Sequence, residues 1–248
     1  MTPQLGIGNS LSAEPVSTLI LRNTYSVSFD GTNDYVDLGT DSSLKLGRAM
    51  TVCGWANIDS HSGENPIIGA TKSSGMDSLY YLGTRTKGSD KVWMFWREDE
   101  DGTDYTADSS AVTATGEWTH VVGTDDGTNI KLYVNGALID TVSASGLTVP
   151  DTLNSVYIGR SHEGFGGINP YFDGYIDEVA IFNSALSASQ VSSIYNGGEP
   201  QSLSSYNPVG WWRMGDNDGG TGSTITDQGS GGNNGTLTNG PVFSTVTP

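Results

Sequence analysis

A single cysteine stands in 248 residues. No disulfide framework is possible within the chain, so the core must hold the fold. That cysteine, Cys53, lies in the strand-like run MTVCGWANI, where a buried, unreactive thiol is expected. Basic residues are also scarce: 11 Lys and Arg stand against 28 Asp and Glu, a formal net charge of −17. Such a surface repels nucleic-acid phosphate, so no nucleic-acid partner is expected. It suits cation binding, and it equally suits plain solubility. No run approaches the roughly 20 apolar residues of a membrane span. The opening stretch MTPQLGIGNSLSAEPVSTLILRN has neither a basic start nor a continuous apolar run, so no signal peptide is read there. GxSxG, HExxH, P-loop and EF-hand patterns are all missing.

What is present is glycine, 34 residues of it, among short apolar runs and turn dipeptides. That pattern predicts an all-β chain of many short strands. Residues 1–24 carry Pro3, Gly6, Gly8, Ser10 and Pro15 and read as an arm that is disordered or docks on a partner. From Tyr25 onward the chain reads as one domain, 25–248. Asp126-Gly127 and Asn135-Gly136 sit between apolar runs and predict tight hairpins. Ser187 and Gln190 form a capping box for one short helix with Val191, Ile194 and Tyr195 on its apolar face and Gly197 as its stop. After a Gly/Pro/Ser-rich connection, 209–248 adds two strands around a long loop. No fixed repeat occurs.

Three kinds of site are weighed. Asp30, in YSVSFDGTNDYVDL, and Asp177, in YFDGYIDEVAIFN, each lie in or beside strand-forming apolar residues. An ionised Asp there needs a partner, because burying it alone is costly. A shared Ca²⁺ would satisfy both, and so would backbone N–H groups in each turn. A second possibility is a sugar platform. Strand alternation separates Trp93/Phe95/Arg97 from Val92/Met94/Trp96, and Tyr81/Gly83/Arg85 from Tyr80/Leu82. Rows ending in Arg read as solvent-facing, which makes Tyr81, Arg85, Trp93 and Arg97 candidate ligand-binding residues on an open sheet face. The competing reading keeps these aromatics in the core with Arg stems packed over them. Catalysis is the third. A glycosidase needs two carboxylates flanking the scissile bond. The acidic string Glu98–Asp101 reads as a solvated hairpin tip, and the adjacent Asp177 and Glu178 point to opposite faces of a strand. His61, His120 and His162 have no neighbouring nucleophile pattern. No catalytic residue is assigned.

Six stretches carry a family resemblance: SFDGTNDYVDLG (28–39), TVCGWANI (51–58), GEWTHVVGTDDG (116–127), IKLYVNGALI (130–139), Ile158-Gly159 and FDGYIDEVAIFNSALSASQVSSIYN (172–196). In their order and spacing they resemble the concanavalin A-like, laminin-G-like jelly-roll family. The resemblance implies a two-sheet antiparallel jelly-roll sandwich in which Asp30 and Asp177 meet at one edge, often with a bound Ca²⁺. It also implies carbohydrate or protein binding. The segment GWWRMGD…TDQGSGGNNGTLTNGP (210–241) precedes the first strand in many relatives. Here it comes last, as in a circular permutation or a truncated second copy. In the permuted reading, 209–248 completes the sheets. The Gly-rich start with FDGTNDYVDLG also resembles marine bacteriophage proteins. The leading expectation is therefore a non-catalytic adhesion or structural protein on a virion surface, a decoration or fibre-type component. Its arm would dock on other virion or capsid proteins. The alternatives are an extracellular, Ca-dependent carbohydrate-binding module that takes surface glycans, and a glycan-active enzyme. A homo-oligomer is compatible with each.

Overall fold

The computed structural model describes residues 21–71, 78–110, 115–151, 153–161 and 170–248. Most of the proposed arm and His162 lie outside that set. Sixteen strands occur among the described residues. In chain order they are β1 (Ser26–Asp30), β2 (Tyr35–Asp37), β3 (Ala49–Ile58), β4 (Pro66–Thr71), β5 (Ser78–Lys87), β6 (Asp90–Glu98), β7 (Asp104–Asp108) and β8 (Trp118–Asp126). Then come β9 (Asn129–Val134), β10 (Ala137–Ser143), β11 (Ser155–Ile158), β12 (Asp173–Phe182), helix α1 (Ala188–Tyr195), β13 (Gly210–Trp212), β14 (Thr224–Ile225), β15 (Gly235–Thr238) and β16 (Val242–Ser244). The first sheet runs β10-β9-β8-β3-β12-β1-β16, with β13 also on β12. The second runs β14-β15-β2-β11-β4-β5-β6-β7. This is the all-β antiparallel sandwich with one short helix that the sequence predicts.

Local chemistry accounts for the turns. Asn135 and Gly136 both have positive φ, 48° and 76°, the pair of values a two-residue hairpin matched to strand twist requires. The Asp126 carboxylate accepts from the backbone N–H groups of Thr128 and Asn129 and so closes the other hairpin. The capping box forms as read. Ser187 Oγ accepts from Gln190 N, and Gln190 Oε1 accepts from Ser187 N at 2.9 Å. The helix stops one residue earlier than expected, because Asn196 itself takes the left-handed conformation before Gly197. Val191 and Ile194 seat α1 on the outer side of the first sheet, over Cys53, Ala180, Phe182 and Trp211. Burial there pushes the Cys53 thiol up to about 12, which keeps it protonated and inert.

Between the sheets lies one continuous core that includes Val27, Phe29, Val52, Ile67, Phe95, Ile181 and Trp212. Strand β12 is its organising element. On one edge it pairs with β3 along most of its length. On the other edge it pairs first with β1 and then with β13, which come from opposite ends of the chain. The last residues thus enter both sheets: β16 lies on β1, and β15 lies on β2.

β8 packs closely against β6 across the core. A Cβ built on Gly123 would stand 2.2 Å from the Phe95 ring. Gly123→Ala forces Phe95 from its place in a close-packed core and is expected to cost about 1–3 kcal/mol. Chemical denaturation checks this. A midpoint unchanged from the parent would contradict the packing described.

Candidate functional site

The β5–β6 register decides where the candidate sugar-binding residues lie. Tyr81 pairs with Trp96, Tyr80 with Arg97, and Thr84 with Trp93. Tyr81 and Arg85 therefore share the outer face, whereas Trp93 and Arg97 point into the sandwich. The four do not line one open face. Trp93 is 1% exposed and belongs to the core. Arg97 is fully buried. It donates to the carbonyls of Leu79 and Gly47 and to Asp125, which also holds Arg48. Its charge is met inside the fold by Asp125, and this is why an Arg at the end of a row does not mark the solvent side. Tyr81 is buried too, its hydroxyl donating to Thr84 O at 2.8 Å. Arg85 stays near the surface but is held by both oxygens of Asp108.

The proposed metal pair also separates. The stretches do meet, since β1 lies on β12, but Asp30 stands opposite Asp173. Asp177 is four residues further along, about 13 Å at the rise of a strand. Each carboxylate takes the backbone alternative. Asp30 accepts from Thr32 N and Asn33 N in its own turn. Asp177 accepts from Glu178 N at 2.8 Å and from Asn23 Nδ2 at 2.9 Å. Among the described residues no group of three or more His, Cys, Asp and Glu is disposed to hold a metal. The Asp30–Asp177 pair does not fit a shared Ca²⁺.

Nor do the remaining acids form a catalytic pair. A bulge in β12 gives Glu178 a φ of 47°, which breaks the alternation expected of neighbours, and both Asp177 and Glu178 are buried. Glu178 accepts from Trp211 Nε1 and from Arg213 Nε. Arg213 also reaches Asp216, which accepts from Thr24 N and Tyr25 N. In the acidic string, Glu98 and Asp99 are buried rather than solvated, and Asp99 accepts from Asp101 N and Thr103 N to shape the turn. Burial drives His120 down to about 3, so it is neutral beside Trp55 and Tyr195.

A different part of the second sheet's outer face has the makings of a binding site. One cross-strand rung runs Thr236, Asp37, Tyr157, Gly69, Tyr81, Trp96, Thr106. Tyr81 and Trp96 on it are buried, but Tyr157 is partly exposed, as are Tyr35, Tyr171 and Arg160 beside it. Tyr35 and Tyr157 meet edge to face at 5.3 Å. The Arg160 guanidinium lies 5.0 Å from the Tyr35 ring, 4.9 Å from Tyr157 and 5.7 Å from Tyr171. Gly159 makes this possible. It turns the chain out of β11 at a φ of 78°, where a Cβ would strike the Phe29 ring. Next to the cluster lies a shallow groove of about 340 Å³ lined by Asp37, Leu38, Gly39, Asn234, Thr236 and Thr238. Asp37 faces Tyr157 in register, and Thr238 faces Tyr35. Another cleft, of about 360 Å³, lies near Ser43, Lys45 and Ser230. Sequence reasoning missed Tyr35, Tyr157, Arg160 and Tyr171. Alternation in YVD and SVYI points the first two outward, but nothing in one segment shows that the other meets it.

Residues 30–192 match the laminin G-type family model described as the concanavalin A-like lectin/glucanases superfamily. No curated protein matches the sequence. Among solved structures, the chain resembles a candidate carbohydrate binding protein from Bacteroides ovatus, with 22% identity and a TM-score of 0.65 over 91% of this chain and 61% of that one. It also resembles a heptameric SAP-like pentraxin from Limulus polyphemus, with 16% identity and a TM-score of 0.61 over 90% and 95% of the two chains. A third is domain 4 of AbnA, a GH43 extracellular arabinanase from Geobacillus stearothermophilus, in complex with arabinotriose. It shows 21% identity and a TM-score of 0.53 over 68% and 76%. At these identities the likeness is one of fold. The chain spans about three fifths of the Bacteroides protein.

The buried acids set a pH dependence. Burial, and then the neighbouring Glu178 charge, holds the Asp177 carboxyl well above its usual 3.8. The folded state then keeps a proton that the unfolded chain has released. Stability is present below the unfolded value and falls as pH rises towards the folded one, by about 1.4 kcal/mol per pH unit for one such group. Asp177→Asn keeps the shape without the titration. Melting midpoints between pH 4.5 and 8 are expected to decline less steeply in the variant. Equal slopes would contradict the buried, protonated Asp177.

Proposed function

The chain belongs to the concanavalin A-like lectin/glucanases superfamily, and from there we propose that it is a non-catalytic domain that binds carbohydrate on the outer face of its second sheet. One observation carries the reading. Tyr35, Tyr157, Tyr171 and the Arg160 guanidinium cluster at the surface beside a groove lined by Asp37, Asn234, Thr236 and Thr238. Ring faces cover the C–H faces of a sugar, and the carboxylate, amide and hydroxyls take its hydroxyl groups. The fold neighbours that carry carbohydrate in their descriptions support this choice. A virion surface is the finer part of the proposal. It rests on the resemblance of the Gly-rich start and FDGTNDYVDLG to marine bacteriophage proteins.

A glycan-active enzyme is the second reading, and one residue favours it. Burial pushes the Glu64 carboxyl up to about 7, where a general acid operates, against the lowering charges of Lys91 and Arg85. A glycosidase also requires a second carboxylate about 5–9.5 Å away across an open site. Asp30, Asp99, Asp177 and Glu178 are folded into turns and the β12 bulge, so binding is the better-supported function.

A glycan array on the full chain, followed by titration calorimetry on the hits, tests the proposal. Tyr157→Ala is expected to weaken binding at least tenfold, about 1.4 kcal/mol, with a melting midpoint close to the parent's. Undiminished binding by a folded Tyr157→Ala variant, or no glycan bound by the parent, would overturn it. Product release from a polysaccharide, abolished by Glu64→Gln, would replace it with the second reading.

A further inference from the structure

Six arginines occur in the chain. Four are tied to carboxylates: Arg48 and Arg97 to Asp125, Arg85 to Asp108, and Arg213 to Glu178 and Asp216. Arg22 is exposed and solvated. Arg160 is different. It is partly buried, belongs to none of the ion pairs among the described residues, and its Nε is buried without a hydrogen-bond partner. Acidic partners are not scarce in a chain with 28 Asp and Glu. The tyrosines supply what the charge needs, since three ring centroids lie within 6 Å of it. Ring faces do not supply what the N–H groups need, which is oxygen acceptors in the guanidinium plane. The cluster holds a cation in place and leaves its Nε–H unmatched.

We propose that Arg160 recognises a carboxylate on the bound glycan, so that the site selects an acidic sugar. The inference rests on the glycan-binding reading above. A guanidinium offers parallel N–H groups in a fixed fork that a carboxylate fits with both oxygens. Tyr35 and Tyr157 flank the Arg160 guanidinium and carry the sugar ring, while Asp37, on β2 with Tyr35, and Thr236, on the neighbouring β15, continue the same face and take hydroxyls. The net charge of −17 opposes a long polyanion at distances set by the ionic atmosphere. A short glycan with one carboxylate escapes most of that repulsion and keeps the local contact. Uronic acids and nonulosonic acids share this chemistry.

Calorimetry with matched pairs tests it on the full chain. A disaccharide ending in glucuronic acid is compared with its methyl ester, and 3′-sialyllactose with lactose. At least one acid is expected to bind tenfold or more tightly than its neutral partner, and which pair shows the preference identifies the class of acid. Arg160→Gln is expected to lower affinity for that acid by at least tenfold more than for its partner. Arg160→Lys, which keeps the charge without the fork, is expected to recover only part of the preference. Equal binding of acid and neutral partners, or a preference that survives Arg160→Gln, would overturn the role of Arg160 and leave glycan binding standing. Absence of binding to these sugars and to the whole array would overturn both.

Discussion

One strand carries two partners on one edge. β12 lies between β3 on one side and, on the other, β1 followed by β13. At the changeover the strand bulges, and it does so with two buried carboxyls. Asp177 is met by Asn23, and Glu178 by Trp211 and Arg213. Arg213 then binds Asp216, which receives the backbone at Thr24 and Tyr25. A chain without disulfides thus fastens the segment entering β1 and the β13 segment to its centre with one polar cluster. Buried ion pairs add little net stability compared with apolar packing, but breaking one leaves an unmatched charge that costs about 3–5 kcal/mol. What the cluster contributes is register: a slipped β1 or β13 leaves these groups without partners.

The candidate site depends on that fastening although it lies on the other sheet. With β1 set against β12, β16 lies on β1 and β15 on β2. The groove wall formed by Asn234, Thr236 and Thr238 is thereby brought to Asp37 and Tyr35. The site's residues come from β2, β11, β15 and the chain on either side of the bridge between Arg160 and Tyr171. Helix α1 covers the outer side of the first sheet, which leaves the second sheet's outer face as the broad surface on which side chains can meet a ligand.

How much was legible beforehand follows from the range of the interactions. The Asn135-Gly136 hairpin and the Ser187 capping box are set by neighbours in sequence, and both were readable. The two-sheet architecture was readable from alternation and from the order of its motifs. Facing was not. Alternation sorts β5 and β6 into rows but does not say which row of one meets which row of the other. Only the pairing of Tyr81 with Trp96 shows that Trp93 and Arg97 turn inward. The same limit applied to Asp177. The two acidic stretches lie side by side, with Asp30 against Asp173 rather than Asp177, and no single segment marks the bulge. Arg160 was unreadable as a site because its ring partners lie far apart in sequence, on β2, on β11 and ahead of β12.

Backbone amide NMR of the full chain during titration with a glycan hit asks most directly whether the second sheet's outer face is where sugar binds. The account predicts that the largest shift changes fall on Tyr35, Asp37, Tyr157, Arg160 and Thr236. Changes centred on helix α1, or on the cleft near Ser43 and Ser230, would contradict it.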